Sequence, residues 1–299
     1  MIVYFGIGID MLIDYLHHRV RKRYRKFGFE SRQMTLEHCT LHYFERRNIG
    51  SSKTIVLLHG LGTSSSTWVH LLPSFDPSFN IIVPDLPGYG FSVLRENTGF
   101  LSLDELSGET DALLRTIDAP FLLLGHSLGG WLAARYASEH PDRVSHLVLV
   151  NNAGILYEGT QEQRRAFQVE SIADVRRLLN TMWHRYPWHF KPFYPAIFND
   201  LRKHHVAEFV RSVRKEDFLN DRLAKLTMPV SIIWGREDKL ISPASVIIMR
   251  QAIPHATVQT IEECGHVPQL ERPKEFTRAV HQVLRSASQV SGEDARKLA

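Results

Sequence analysis

The pentapeptide Gly-His-Ser-Leu-Gly at 125–129 has the residue types of a nucleophilic serine site. It directly follows the apolar run Phe121–Leu124 and opens a helical pattern that ends before Pro141. In such a strand–turn–helix the serine hydroxyl projects above a sheet, and the flanking glycines avoid collisions between a Cβ and neighbouring backbone. The pattern predicts Ser127 as the nucleophile of an acyl transfer.

A serine nucleophile needs a base, and the base needs an acid that orients it. His266 follows the expected strand Thr257–Ile261, and Asp238 follows the apolar run Val230–Trp234. Both are therefore expected on loops at the carboxyl ends of strands, in the chain order serine, acid, base. The sequence predicts the catalytic set Ser127, Asp238 and His266.

Other positions for the acid are less suitable. Glu237 is adjacent to Asp238 but is expected to project in a different direction. Asn151 and Asn152 follow the apolar run Leu147–Val150, where some families place the acid, and neither has a carboxylate. Asp238 is therefore the best candidate.

The turn His-Gly-Leu-Gly at 59–62 follows the apolar run Thr54–Leu58. We expect the amide groups of Leu61 and Leu128 to point at the oxygen that becomes negative in a tetrahedral intermediate. The alternative is an ordinary glycine-rich connection between a strand and a helix. The motif Asp-Leu-Pro-Gly-Tyr-Gly at 85–90, one strand–helix unit later, favours an oxyanion site.

Five apolar runs with helical stretches between them predict a mostly parallel sheet with helices on both faces. The runs are Thr54–Leu58, Asn80–Val83, Phe121–Leu124, Leu147–Val150 and Val230–Trp234. Residues 33–46 alternate loosely and predict two strands joined by a turn, and Ser102 and Glu105 have the spacing of a capping box. The expected fold class is α/β, with a core formed by residues 31–153 and 228–286.

Residues 154–227 contain no apolar run of the strand type and are predicted to form an inserted helical cap. The aromatic stretch 183–198 suits an apolar tunnel or a lipid-docking surface, and the alternative is that it only packs the cap onto the core. His126, beside the serine, is expected to pack or hydrogen-bond rather than to catalyse. The residues expected to contact the substrate are His126, Trp183, Trp188, Phe190 and Val267.

The N-terminal segment 1–30 is amphipathic and basic. Residues 1–9 are apolar but too few to span a bilayer, which takes about 20 residues, and no cleavage pattern of a signal peptide follows. Apolar residues at 2, 5, 9, 12, 16 and 20 share one helical face, opposite His17 and Arg21, and six basic side chains lie within 19–26. We expect this segment to bind an anionic membrane surface, or to pack on its own domain or on a second chain in a dimer. The sequence leaves these options open.

The composition is that of an ordinary globular chain, with 43% hydrophobic and 23% charged residues among 299. The formal net charge of +4 belongs to residues 19–26, so nothing indicates a nucleic-acid-binding body. Cys39 and Cys264 cannot define a disulfide framework and have no metal-ligand spacing. We therefore expect a reducing, cytoplasmic compartment, with peripheral membrane contact as an option. The polar tail 287–299 is expected to be frayed.

Over residues 30–285 the chain resembles the α/β-hydrolases with a cap, especially bacterial lipolytic enzymes and monoacylglycerol lipases. The segments 232–238 and 264–273 carry this resemblance most closely, whereas the monoacylglycerol lipases more often have Thr and Met on either side of the serine. The resemblance implies hydrolysis of an acyl ester through an acyl-serine, with no metal or organic cofactor.

Two other functions share this fold. Carbon–carbon bond hydrolases have the same triad, but usually carry Trp directly after the histidine, where Val267 stands here. A non-hydrolytic ligand-binding member of the fold is the other alternative, although a complete triad is difficult to explain in a pure binder.

Overall fold

The computed structural model of the chain describes residues 15–297. Nine strands form one sheet. The strands are β1 (Glu30–Thr35), β2 (Cys39–Arg46), β3 (Thr54–Leu58), β4 (Asn80–Pro84), β5 (Val93–Leu94), β6 (Phe121–His126), β7 (Val144–Val150), β8 (Val230–Gly235) and β9 (Thr257–Ile261).

The sheet has the order β1-β2-β4-β3-β6-β7-β8-β9, and β5 pairs with β2. The pairs made by β2 are antiparallel, whereas the pairs from β4 through β9 are parallel. Each predicted apolar run lies in a strand of this parallel part, which confirms the predicted α/β fold. Because parallel strands point the same way, the loops after β3, β6, β8 and β9 leave the sheet at one edge.

The α-helices flank this sheet. They are α1 (15–26), α2 (Leu103–Arg115), α3 (Leu128–Glu139), α4 (Thr160–Ala166), α5 (Ile172–Met182), α6 (Tyr194–Lys203), α7 (Val206–Ser212), α8 (Ala244–Ala252), α9 (Pro268–Glu271) and α10 (Pro273–Lys297). The 3₁₀ helices are Ser65–Trp68, Leu72–Ser74, Pro141–Arg143, Trp188–Phe193, Lys215–Asp217 and Leu223–Lys225.

Two predicted helix ends can be compared with the structure. The capping box at the start of α2 is present, with Ser102 Oγ accepting from the Glu105 N–H and the Glu105 carboxylate accepting from the Ser102 N–H. The expected frayed tail is instead helical to Lys297, because α10 continues without a break. A helix satisfies its own backbone hydrogen bonds, so a polar segment with good helix formers can extend it without an apolar face.

Apolar layers cover both faces of the sheet. Ile55 and Leu57 contribute to one layer, and Val56 and Leu58 contribute to the other, since successive side chains of a strand point to opposite faces. Between β7 and β8, residues 151–229 contain α4 to α7 and three of the 3₁₀ helices, with no strand. The carboxyl edge of the sheet is therefore followed by a helical insertion, as expected for a cap, and the exact cap bounds 154–227 stay a prediction.

Helix α1 packs on its own domain through Tyr24. This side chain is fully buried, its ring stacks on Phe44 at 3.8 Å, and its hydroxyl donates to the carbonyl oxygen of Ser65 at 2.8 Å. The Arg21 guanidinium lies 4.3 Å from the centre of the Phe91 ring. At these residues, the described part of the N-terminal segment therefore packs on its own domain, which is one of the expected options.

The orientation of α1 differs in part from the one predicted, because Val20 of the predicted apolar face packs against the core as expected. His17 and Arg21, assigned to the polar face, contact Phe91, whereas Leu16 of the predicted apolar face is 51% exposed. An aromatic ring attracts a guanidinium, so the basic side chains have a packing partner on the domain. The predicted apolar positions 2 to 12 lie outside the described residues. Of the helices in the described range, none has the length and apolar character needed to cross a bilayer.

Candidate active site

Ser127 occupies a sharp turn between β6 and α3. Its backbone has φ 52° and ψ −117°, a region that a residue with a side chain rarely adopts. A Cβ on Gly125 would lie 2.2 Å from the carbonyl oxygen of Gly129, and one on Gly129 would lie 2.4 Å from that of Leu58. Glycine is therefore required at both positions, and the turn holds the serine at the N-terminus of α3.

Ser127, His266 and Asp238 form one chain of hydrogen bonds. The Ser127 Oγ lies 2.9 Å from His266 Nε2, and His266 Nδ1 lies 2.8 Å from Asp238 Oδ2. All three residues are buried, with exposed fractions of 7%, 1% and 5% in the order serine, histidine, aspartate. The carboxylate accepts the Nδ1 proton, which leaves the Nε2 lone pair directed at the serine hydroxyl. In this arrangement the histidine can accept the serine proton.

Asn151 also holds the Asp238 carboxylate. Its Nδ2 donates to Asp238 Oδ2 at 2.7 Å, and its Oδ1 accepts from the N–H of Gly235 at 3.1 Å. The other carboxylate oxygen accepts from the backbone N–H groups of Leu240 and Ile241. Sequence reasoning considered Asn151 only as a missing acid. Its position could have indicated a role at the site, because Asn151 is a polar residue directly after β7, at the edge of the sheet where the candidate triad assembles.

Leu61 and Leu128 both line the cavity that contains Ser127. Leu128 is the first residue of α3, where helix geometry leaves the N–H without an intrahelical partner. The turn that carries Leu61 is fixed by His59, whose Nδ1 donates to the Gly60 carbonyl oxygen at 2.9 Å and whose Nε2 accepts from the Leu86 N–H at 2.8 Å. Leu61 and Leu128 therefore both lie beside the serine, and their role as oxyanion donors stays a prediction.

His126 does not line that cavity, contrary to the expectation that it contacts substrate. The side chain is 1% exposed, and its Nε2 donates to the carbonyl oxygen of His266 at 2.8 Å. Burial, together with the nearby imidazole of His266, lowers the pKa of His126 to about 3. It is a neutral residue that holds the backbone of the candidate base.

The cavity at Ser127 is narrow and mostly apolar, with a volume of about 50 Å³. Its lining residues are Leu61, Ser127, Leu128, Trp131, Ala153, Gly154, Thr160, Gln163, Arg164, Phe167, Phe209, Val210, Val213, Phe218, Leu240 and Ile241. The one cationic side chain among them, Arg164, uses Nη2 to donate to three backbone carbonyl oxygens, those of Val210, Arg211 and Val213. The interior therefore suits an apolar chain.

The aromatic residues predicted to contact substrate lie elsewhere. Trp188 and Phe190 are 77% and 41% exposed, and neither they nor Trp183 and Val267 line the cavity at Ser127. These aromatics follow α5 in a segment of turns and 3₁₀ helix, whereas the aromatic residues that line the cavity are Trp131 on α3, Phe167 after α4, Phe209 on α7 and Phe218. The number of aromatic residues in a segment does not predict which of them line a cavity.

Glu271 connects the cap to the loop of the candidate base. Its carboxylate accepts three backbone hydrogen bonds, from Gly265 (2.8 Å), Arg185 (2.8 Å) and His184 (3.2 Å). The N–H of His266 also donates to the carbonyl oxygen of Met182 at 2.6 Å. The end of α5 and the histidine loop are therefore held together through backbone groups.

Among the described residues, Asp111, Glu139 and His140 are close enough to offer ligands to a metal ion. Cations already occupy this cluster: Arg222 Nη1 lies 2.5 Å from Glu139 Oε1, and Arg115 Nη2 lies 3.2 Å from His140 Nε2. Positive charge at these positions disfavours a metal ion, and Glu139 and His140 lie at the opposite end of α3 from Ser127.

Comparison with known proteins places this fold and site in a family. The profile of the alpha/beta hydrolase family matches residues 55–279, so the chain belongs to that family. The serine turn, the histidine loop and the aspartate loop all fall within the matched range.

Individual relatives are distant but cover most of the chain. A 2-hydroxy-6-oxononadienedioate/2-hydroxy-6-oxononatrienedioate hydrolase of Cupriavidus pinatubonensis is 28% identical over 77% of this chain and 86% of its own length. The human monoacylglycerol lipase ABHD6 is 24% identical over 88% of this chain and 84% of its own length. Among solved structures, a membrane phospholipase A superposes with a TM-score of 0.80 at 23% identity, covering 96% of both chains. These similarities extend to the fold, including the cap region.

Proposed function

We propose that the protein is a serine carboxylester hydrolase. The observation that carries this proposal is the hydrogen-bonded chain from Ser127 through His266 to Asp238, which opens into an apolar cavity. A nucleophile, its base and an orienting acid are the minimal set for acyl transfer through a covalent intermediate.

The mechanism follows from the atoms that each residue presents. His266 Nε2 takes the proton of the Ser127 hydroxyl while Oγ attacks the ester carbonyl, and the N–H groups of Leu61 and Leu128 stabilise the oxyanion. His266 then gives the proton to the leaving alcohol. Water repeats the sequence on the acyl-serine, with Asp238 holding the imidazole orientation and stabilising its cation throughout.

The substrate class that we propose is a lipid ester such as a monoacylglycerol. The cavity walls contribute aliphatic and aromatic side chains, and an acyl chain buries apolar surface against them at about 25 cal/mol per Å². Monoacylglycerol lipases are among the relatives, with similarity over most of the chain. A ligand pocket usually has several hundred Å³, so the cap has to move to admit such a chain.

A carbon–carbon bond hydrolase is the second candidate, because the 2-hydroxy-6-oxononadienedioate/2-hydroxy-6-oxononatrienedioate hydrolase is 28% identical to this chain. That relative is named for a dioate, a doubly anionic molecule. The cavity at Ser127 offers one cationic side chain, Arg164, which is already hydrogen-bonded to backbone carbonyl oxygens. An apolar ester is therefore the better match.

Peripheral membrane contact, with a location at the cytoplasmic side, is part of the proposal. Tyr15 and Leu16 on α1 are exposed, as are Trp188, Phe190 and Phe193 beside the cap helix α6. On α1 the Arg19 guanidinium lies over the Tyr15 ring, 5.8 Å from its centre. Apolar residues combined with a basic cluster are the two signals that give stable binding to an anionic leaflet.

The test compares turnover of monoacylglycerols and p-nitrophenyl esters with turnover of a 2-hydroxy-6-oxo-dienoate. Ser127→Ala should reduce kcat on the esters by on the order of 10⁴ to 10⁶, as in other serine triads, with Ser52→Ala as the matched control on an exposed serine. Asp238→Asn should reduce activity strongly and Glu237→Gln only slightly. Near-normal ester turnover by the Ser127→Ala protein, or faster turnover of the dienoate than of any ester, would overturn the proposal.

A further inference from the structure

A second chain of serine, histidine and aspartate hydrogen bonds lies outside the candidate active site. The Ser31 Oγ is 2.8 Å from His42 Nε2, and His42 Nδ1 is 2.9 Å from Asp85 Oδ2. The same atoms are joined in the same order as in the chain that begins at Ser127. Ser31 lies on β1, His42 on the adjacent strand β2, and Asp85 directly after β4.

The protonation of this second chain can be derived from the partners of Asp85. Its Oδ1 accepts from the Ser65 N–H at 2.7 Å, and its Oδ2 accepts from the Phe91 N–H at 3.2 Å as well as from His42. Burial alone raises the pKa of a carboxyl, but these hydrogen bonds and the nearby imidazoles hold the pKa of Asp85 below its ordinary value. The ionised carboxylate keeps the proton on His42 Nδ1. The lone pair on Nε2 therefore faces the Ser31 hydroxyl.

The base is rigid and the nucleophile is accessible. His42 is 1% exposed and packs edge-on against Phe44, with a ring-centre distance of 4.6 Å. Ser31 belongs to the edge strand of the sheet and is exposed. A small electrophile can therefore reach Oγ from solvent, while the imidazole that would remove its proton is fixed behind it.

We propose that Ser31 is a second acyl-accepting nucleophile, activated by His42 and Asp85, that reacts with small activated acyl or phosphonyl esters. Oγ attacks the carbonyl carbon, and the Oγ–C bond forms as the bond to the leaving alkoxide breaks. The serine proton passes to His42 Nε2 and then to the alkoxide, which leaves as the alcohol. With a fluorophosphonate, Oγ attacks phosphorus and the P–F bond breaks, so fluoride leaves and the serine proton passes through His42 to solvent. The product is an ester on Ser31 in both cases, and no redox partner is involved.

At this site Ser31 becomes acylated, but the acyl group is not released rapidly enough for catalytic turnover. Ser127 lies at the N-terminus of a helix whose first N–H groups are free to bind an oxyanion, whereas Ser31 lies within a strand. One oxyanion donor is worth about 10² to 10³ in rate, and both the formation and the hydrolysis of an acyl-serine depend on it. A strongly activated ester compensates for the slower formation of the acyl-serine. The ester that results on Ser31 is not activated, so it hydrolyses slowly.

The first experiment uses the full-length Ser127→Ala protein, so its outcome does not depend on the proposed function. The protein is treated with a fluorophosphonate probe or p-nitrophenyl acetate, and the modified serines are located by peptide mass spectrometry. We expect labelling of Ser31 at least tenfold faster than labelling of Ser52, an exposed serine on a loop. Ser31→Ala should remove the adduct, and His42→Gln, checked for folding by circular dichroism, should slow it at least tenfold.

A second measurement tests the base without relying on a change in the core. In the Ser31→Cys variant, His42 would stabilise a thiolate, so iodoacetamide should alkylate position 31 at least tenfold faster than position 52 in the Ser52→Cys variant at neutral pH. The natural cysteines do not compete, because both are buried and burial raises the pKa of Cys39 to about 12. Equal alkylation at the two positions, or no adduct on Ser31 in the Ser127→Ala protein, would overturn the proposal.

Discussion

Two donors share one oxygen of the candidate catalytic acid. His266 Nδ1 and Asn151 Nδ2 both donate to Asp238 Oδ2, at 2.8 and 2.7 Å. Asn151 has φ 40°, a conformation that Asn and Asp tolerate better than most residues, and it is fully buried. Its amide therefore fixes the carboxylate relative to β7 and β8 at the same time. This places Asn151 in the role of a positioning residue.

Asn151→Asp tests that role with a residue of the same size. The new carboxyl would face Asp238 at hydrogen-bond distance, and two carboxyls this close raise the pKa of one of them. At low pH the protonated member can still donate as the amide does, but at higher pH both ionise and repel. The ratio of variant to wild-type kcat/KM should therefore fall as pH rises, by about tenfold or more over the range in which the wild type is active.

Asn152→Asp is the matched control, because Asn152 is equally buried and its Nδ2 donates to the carbonyl oxygen of Ala153 at 3.2 Å instead of to Asp238. Its ratio to wild type should change little with pH. A ratio for Asn151→Asp that is constant with pH would show that the amide does not position the acid.

At the scale of secondary structure, the link between the cap and the histidine loop is made by one side chain. Glu271 has two carboxylate oxygens and three backbone donors, whereas glutamine offers one oxygen and an NH₂ group. Glu271→Gln must therefore leave at least one backbone N–H facing a donor. We expect kcat to fall several-fold and the melting temperature to fall by a few degrees, measured with a soluble ester and by thermal unfolding.

Glu275→Gln is the control for this change, since Glu275 is exposed in the first turn of α10. It should leave both quantities unchanged. If Glu271→Gln lowers only the melting temperature and leaves kcat intact, the carboxylate stabilises the fold without positioning the histidine loop.

Helix α1 combines a buried anchor residue with a basic surface. Deletion of residues 1–26 would remove Tyr24 from the core, and loss of a buried aromatic side chain costs about 3–5 kcal/mol. A shorter deletion, of residues 1–14, keeps this anchor. We expect the shorter form to retain the stability and soluble-ester activity of the full chain and to bind anionic vesicles less well in a co-sedimentation assay.

The charge contribution is tested by changing Lys22, Arg25 and Lys26 to Gln together. These side chains are exposed on α1, and each basic residue near an anionic surface contributes about 1 kcal/mol, screened by salt. Lys274→Gln with Arg278→Gln, on exposed positions of α10, is the control. Salt-insensitive binding by the full chain, or equal loss in the control, would contradict the membrane proposal.

The sequence predicted the strands more accurately than the directions of side chains in the cap. Strands of the parallel sheet are a continuous apolar run where both faces are buried, as in Thr54–Leu58, or a partly exposed segment with β-branched residues at the sheet edge, as in Thr257–Ile261, and both strands have the predicted bounds. The three proposed triad residues follow such strands, and their meeting point is therefore fixed by topology. Trp188 and Phe190 lie on irregular backbone, where no period relates sequence position to direction. The hydrogen bond from Asn151 to Asp238 joins two loops that are far apart in the sequence, so no local sequence pattern predicts it.

On the scale of the whole molecule, several buried histidines couple the fold to pH. Burial lowers the pKa of His146 to about 4, and burial with the nearby His266 lowers that of His126 to about 3. His59 is shifted in the same direction, chiefly by burial. These residues lie under the site and at the opposite end of the sheet, so the effect belongs to the entire domain rather than to one loop.

Acid should therefore destabilise the protein in the range where unfolded histidines become protonated, and Asp111, whose pKa burial raises to about 7, offsets part of this effect. In the unfolded chain a histidine has a pKa near 6.5, so between about pH 6.5 and 4 the unfolded state binds protons that folded His126 and His146 do not. The free energy of unfolding should be constant above about pH 7 and fall as pH decreases through this window, measured by urea titration at fixed ionic strength. His146→Gln removes one of these proton-binding groups, so the unfolding free energy should change less steeply with pH, even if its absolute value also changes. His18→Gln, at an exposed position of α1, is the control for the loss of a histidine. An unfolding free energy that stays level down to pH 4.5 would mean that these imidazoles become protonated without loss of the fold.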